Sequence, residues 1–153
     1  MTKPATAPRV TTAGLGAWLI KGNADQADLA GRFAADPRVT RWCVQPGYRA
    51  RLMQAGQPVL FWASGSRRRD LAYGIWGLGV LTGPARQDPD DGRWKASLDL
   101  TIAPPTAWVS RQTIRANAAL AELEVLRQPQ AANPSFVTGE QFTVVRWYLS
   151  AES

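Results

Sequence analysis

A chain of 153 residues, 45% hydrophobic and 20% charged, falls in the range of a single globular domain able to bury roughly two-thirds of its unfolded surface. It carries a net charge of +6, seven tryptophans, one cysteine and no histidine, which excludes an internal disulfide and a cysteine–histidine zinc site and removes the commonest general base near pH 7. No apolar run approaches the roughly 18 residues of a membrane span and the first dozen residues lack a signal-peptide block, so the expected location is cytoplasmic.

The charge is not spread evenly. Residues 32–70 hold eight arginines against Asp36 and Asp70, a surplus of six that equals the net charge of the whole chain. Among the basic residues 15 are Arg and three are Lys, and a guanidinium is planar, forks onto phosphate and stacks on rings. Such a surface suits an anionic partner. Arginine-rich usage is equally a mark of genome composition, which accounts for the overall excess but not for its clustering.

Residues 1–13 are rich in Thr, Ala and Pro and read as a disordered lead-in to one domain over 14–153. Residues 15–21 predict a strand. Asn23 followed by Gln26 resembles a capping box opening a helix that buries Leu29 and Phe33 and stops at Asp36 and Pro37. The apolar run 58–63 predicts a strand with Pro58 at its tolerant first position. After a loop at 64–70, residues 71–81 predict another, with Leu71, Tyr73, Ile75 and Leu81 on one face and Ala72, Trp76, Leu78 and Val80 on the other. Its glycines Gly74, Gly77 and Gly79 imply a bend, a bulge or close approach of another backbone.

The alternation over 94–102 is the clearest in the chain, with Trp94, Ala96, Leu98, Leu100 and Ile102 inward. A proline turn at 103–106 precedes a helix over 110–120 with Ile114 and Leu120 inward, and 126–134 reads as irregular. Thr138 with Gln141 makes a second capping box, opening a helix striped by Phe142, Val145 and Leu149. Together these elements predict an α+β fold, a small curved sheet or open barrel of about five to six strands flanked by helices.

The residues argue for binding rather than catalysis. Without histidine, only carboxylates and Lys21 remain as candidate bases beside a nucleophile, and the glycines near Ile75 do not form a dinucleotide fingerprint. No cofactor motif is visible, and Asp88, Asp90 and Asp91 read as a solvated turn rather than a cation site. Trp94 and Trp147 fit core roles, and Trp108 fits a cap on the barrel. Trp18, Trp42, Trp62 and Trp76 lie in or beside the predicted sheet, where each alone reads as core but together they admit an aromatic cage.

The segment Val125-Leu126-Arg127-Gln128-Pro129-Gln130, followed by Asn133 and the helix from Thr138, resembles the C-terminal signature of EVE domains, members of the PUA-like superfamily. Trp18-Leu19-Ile20-Lys21, Trp42, Val59-Leu60-Phe61-Trp62-Ala63-Ser64-Gly65, Gly74-Ile75 through Gly79-Val80, and Trp94 appear in the same order, so the resemblance spans residues 15–149. More weakly, the pair Trp42-Cys43 is similar to the Trp-Cys or Trp-Ser pair of the related YTH domains. The chain departs from the pattern at Gly22, where many relatives carry serine, at Ala131-Ala132 in place of a Gly-Thr or Gly-Ser pair, and at Ser135, which lengthens a turn.

What the resemblance implies is a non-catalytic reader of DNA or RNA that extrudes one modified base into a pocket of the barrel. On that reading Trp42 and Trp62, with Trp18 as a third wall, sandwich the base beside Lys21 and Cys43, while Asn23, Ser64 and Gln128 read its polar edge. Arg127 is placed near the pocket by the resemblance of its segment. Arg67, Arg68 and Arg69 grip phosphates, or alternatively form a solvated tip that protects a sheet edge. Rival readings are a module for a free nucleobase or nucleoside and a protein-interaction domain.

Overall fold

The computed structural model describes residues 10–131 and 133–151. Most of the expected lead-in, residues 1–9, lies outside the described residues. From Val10 the chain is held, because the Val10 N–H donates to the Tyr48 hydroxyl at 3.2 Å ahead of a short 3-10 turn, Thr12–Gly14.

The architecture is α+β, as expected, but its open, curved sheet contains eight strands among the described residues. The strands are β1 (Leu15–Asn23), β2 (Arg38–Cys43), β3 (Pro58–Ser64), β4 (Gly74–Leu81), β5 (Arg86–Gln87), β6 (Trp94–Ile102), β7 (Val109–Ser110) and β8 (Ser135–Thr138). They run in the order β2-β6-β4-β3-β1-β8, with β5 on β6 and β7 on β4. The pair β1 and β3 is parallel, whereas β1 and β8 are antiparallel. The longest strands are those whose apolar runs or alternation make them legible, while β2, β5, β7 and β8 carry no such pattern.

Both faces of the sheet are covered. Inside its curl, Trp18, Ile20, Phe61, Trp76, Leu98, Leu100 and Ile102 form one apolar cluster, closed by Leu29 and Phe33 of α1 (Leu29–Ala35). On the outer face Leu19, Leu60, Trp62 and Ile75 pack against Ile114 of α3 (Arg111–Ala116), which follows α2 (Tyr48–Leu52) and β7. Val125 of α4 (Glu124–Arg127) and Val145 of α5 (Gly139–Ala151) complete that layer. Isolated helices shorter than about 12 residues are marginal in water, so α3 and α4 exist because Ile114 and Val125 are buried, each such side chain contributing roughly 1.5–3 kcal/mol.

Several expectations are corrected. Asn23 Oδ1 accepts from the Gln26 N–H, but also from that of Asp25 at 2.9 Å, and so closes a turn; α1 begins later, at Leu29, capped by the Asp28 carboxylate on the Gly31 N–H at 3.0 Å. Ile75 and Leu81 do not share a face. Phe61 pairs with Gly77 while Trp62 pairs with Ile75, so Trp76 is an extra residue whose bulge flips the strand's parity, placing Ile75 with Leu78 outside and Trp76 with Tyr73 and Leu81 inside. The expected close approach is found at Gly79, where a Cβ would lie 2.2 Å from the Asp99 carbonyl oxygen of β6. Trp147 is not core: it is 64% exposed on α5. Residues 126–134 are partly helical, since α4 extends to Arg127, and α3 ends at Ala116 rather than 120.

The Thr138–Gln141 box forms as expected, each side chain bonding the other's backbone N–H at 3.2 and 3.0 Å. Trp108 stacks on Trp76 with centroids 3.7 Å apart and rings 10° from parallel. Among the described residues no helix is long and apolar enough to cross a membrane.

Candidate functional site

The sheet curls until the end of β2 approaches the end of β1, and the Trp42 indole N–H donates to the Lys21 carbonyl at 2.9 Å. The ring leans edge-to-face on Phe61 with centroids 4.9 Å apart. Gly22 makes room for it, because a Cβ there would lie 2.9 Å from the Trp42 ring and 2.8 Å from Phe61 and Leu29. The Asn133 side chain spans the remaining gap, accepting from the Lys21 N–H at 2.7 Å and donating to the Lys21 carbonyl at 3.1 Å.

This junction borders a cavity of about 490 Å³, within the ordinary range for a small planar ligand. Lys21, Gly22 and Asn23 line it from β1, Arg41, Trp42 and Cys43 from β2. Arg32 of α1, Lys95 of β6 and Asn133 close it. Of the residues expected to form the pocket, Lys21, Asn23, Trp42 and Cys43 are brought together.

The three-indole cage is not formed. Trp62 follows Phe61 on β3 and so faces the outer layer, where it is 3% exposed. Trp18 shares the inner face but lies four residues along β1 from Gly22, roughly 13 Å at strand rise, fully buried with its indole N–H on Gln57 at 2.8 Å. Ser64 does not line the cavity and instead donates to the Gly22 carbonyl at 3.3 Å. Gln128 lines a neighbouring cleft with Tyr48, Arg49 and Glu124, and Arg127 is an exposed side chain bonded to the Glu122 carbonyl at 3.0 Å.

The cations at the site come from three separate segments, so spacing gave no sign of Arg32, Arg41 and Lys95. Lys95 bonds Asp88 at 2.8 Å and Asp91 at 2.7 Å, and Arg41 also pairs with Asp88. These partners hold the Asp88 carboxyl well below the usual carboxylate range, Lys95 first, then the Asp90 N–H and Arg41. The Lys21 ammonium donates to the carbonyls of Pro129 and Ala131; burial pushes its pKa down, and the field of Glu124 opposes that. Among the described residues no carboxylate lines the cavity.

The arginine loop is built on the same end of β1. Asp25, whose N–H bonds Asn23, accepts from the Ser66 N–H at 2.8 Å, the Arg67 N–H and the Tyr73 hydroxyl at 2.7 Å, and the Tyr73 bond is the main cause of its lowered pKa. Arg67, Arg68 and Arg69 are exposed, and Arg68 is paired with Asp70 at 2.6 Å. Among the described residues no group of three or more acidic, cysteine or histidine side chains is placed to hold a metal.

Fold and site together define a curved α+β sheet with a cation-lined cleft, floored by one indole, at its mouth. No protein-family model and no curated protein matches the sequence. Among solved structures the chain is similar to a hypothetical protein from Leishmania major, 16% identical at a TM-score of 0.64, covering 92% of this chain and 99% of that one. It is also similar to a Pseudomonas putida protein, 22% identical at 0.61 over 86% and 98% of the two chains, and to one from Rhodopseudomonas palustris, 19% identical at 0.59 over 90% and 94%. At this identity the likeness establishes the fold.

Proposed function

We propose that the chain is a non-catalytic nucleic-acid-binding module of the EVE type, in which one modified base leaves its strand and stacks on Trp42. The observation that carries this reading is the cavity itself: an indole wall in a lining that includes Lys21, Arg32, Arg41 and Lys95 and, among the described residues, no carboxylate. An aromatic platform takes any base by its π-face, and stacking is worth roughly 1–3 kcal/mol, comparable to the few kcal/mol that extrusion costs. The cations suit the phosphates on either side of the extruded nucleotide, and the Asn23 side chain and the backbone at Cys43 offer polar contacts to the base edge.

Fluorescence polarisation with oligonucleotides that differ only in a methylated cytosine or adenine tests the proposal. Trp42→Ala abolishes discrimination between modified and plain strands, and Trp42→Phe, which keeps a ring against Phe61, retains part of it. Wild-type discrimination surviving in Trp42→Ala ends the reading. A nucleoside monophosphate that competes at the concentration of the oligonucleotide identifies the free nucleotide as the ligand instead.

A further inference from the structure

An indole pocket by itself favours cations, since the ring face is the negative end of its quadrupole. This pocket already supplies one. The Arg32 guanidinium lies over the Trp42 ring with Cζ 5.6 Å from the centroid, and at 5.6 Å from the Phe33 ring as well. Leu29 and Phe33 of the same helix are buried, so the base of the Arg32 side chain is fixed while its head is exposed. Among the described residues no carboxylate pairs with Arg32.

The charge balance of the cavity points the same way. Arg41 and Lys95 are offset by Asp88 and Asp91, two against two. Lys21 is held by carbonyl oxygens rather than by an acid, and Glu124, whose field reaches it, is itself bonded to Arg49 at 2.8 Å. Among the described residues Arg32 therefore remains as the charge over the indole that no carboxylate offsets.

We infer that Arg32 is the second wall of this site, so that the base is a neutral, electron-rich ring held between indole and guanidinium, and bases with a fixed positive charge are rejected. The inference rests on the reading that Trp42 stacks a base. A ring between the two walls needs about 7 Å, two contacts of about 3.5 Å each, so the guanidinium swings outward by roughly 1.5 Å as the base enters. An exposed arginine makes that movement freely. A cationic ring in that slot lies about 4 Å from the guanidinium, and like charges at that distance repel enough, even when screened by water, to change affinity by about tenfold.

The test uses two pairs of oligonucleotides that match in size and differ in charge. One pair carries 7-methylguanosine, a cation, or neutral 7-deaza-7-methylguanosine; the other carries 3-methylcytidine, a cation near pH 7, or neutral 5-methylcytidine. For whichever pair binds in a Trp42-dependent manner, the neutral member binds about tenfold more tightly to the wild type. Arg32→Gln narrows that ratio at least threefold, and Arg32→Lys keeps the ratio but weakens the neutral base by losing the planar stack. Trp42-dependent binding with equal affinity for both members, or a ratio unchanged in Arg32→Gln, overturns the assignment while leaving the base-binding reading intact. Absence of Trp42-dependent binding in both pairs overturns the two together.

Discussion

The carboxamide of Asn133 pairs with both backbone polar groups of Lys21, taking the N–H at 2.7 Å and giving to the carbonyl at 3.1 Å. A side chain thus completes what a neighbouring strand would otherwise supply. The same Lys21 carbonyl receives the Trp42 indole N–H, so one peptide joins β1, β2 and the C-terminal loop at the edge of the cavity.

Asn133→Asp removes the donor half of this arrangement and sets a carboxylate against the Lys21 carbonyl. Each lost bond is worth about 1 kcal/mol and the unpaired partners add to that, so the variant is expected to be destabilised by roughly 1–3 kcal/mol in urea unfolding. Equal midpoints for the two proteins would show that the pairing is dispensable.

Gly22→Ala places a methyl group 2.8 Å from Phe61 and Leu29 and 2.9 Å from Trp42, contacts that force those side chains apart. Overpacking of this kind costs roughly 1–3 kcal/mol. Because the indole is among the displaced groups, oligonucleotide affinity falls together with the melting temperature. A variant as stable and as tight-binding as the parent contradicts the packing described here.

Acid stability reports on Glu124. Burial works to raise its pKa, but the Arg49 ion pair and the Phe136 N–H outweigh that and hold the carboxyl below its ordinary value. A carboxyl depressed in the folded state contributes stability above its unfolded pKa of about 4.3, and the contribution is lost as pH falls through the folded value. The Glu124→Gln variant is therefore less stable near pH 7, by roughly 1–3 kcal/mol for this partly exposed pair, and its stability declines less between pH 5 and pH 2. Parallel pH profiles would remove Glu124 from the account.

In the arginine loop the three residues are not equivalent. Arg68 is engaged by Asp70 and Asp28, whereas no carboxylate among the described residues pairs with Arg67 or Arg69. Replacing Arg67 and Arg69 together with serine lowers affinity for all sequences and flattens the salt dependence by up to about 0.9 per lost phosphate contact, while Arg68→Ser has the smaller effect. A salt slope unaltered in the double variant takes the loop out of the contact surface.

Asp88→Asn is expected to act in the opposite direction. It frees Arg41 and Lys95 from their shared partner at the cavity rim, which strengthens binding to any oligonucleotide and steepens the salt slope. Weaker binding instead would mean that Asp88 holds those cations in the geometry binding requires.

Much of the framework is legible in local pattern, because a strand with one face buried must alternate and a capping box needs only residues three apart. The inward residues of β6 from Ala96 to Ile102, the run of β3, and the Thr138–Gln141 cap all follow from that short-range logic. That Trp42 borders one cavity with Lys21, Asn23 and Cys43 does not follow from that short-range logic; the resemblance to EVE and YTH domains is what groups them in the sequence.

Which tryptophan borders the cavity is decided only in three dimensions. Phe61 and Trp62 are both apolar and adjacent, so composition cannot say which faces the curl, and the bulge at Trp76 reverses parity in a strand whose two faces look alike. The charges of the cleft depend on the same kind of closure: Arg32, Arg41 and Lys95 are remote in sequence and meet because the sheet bends until β2 reaches β1. Periodicity records which side of its own element a residue takes, whereas a site is made where the sides of different elements converge.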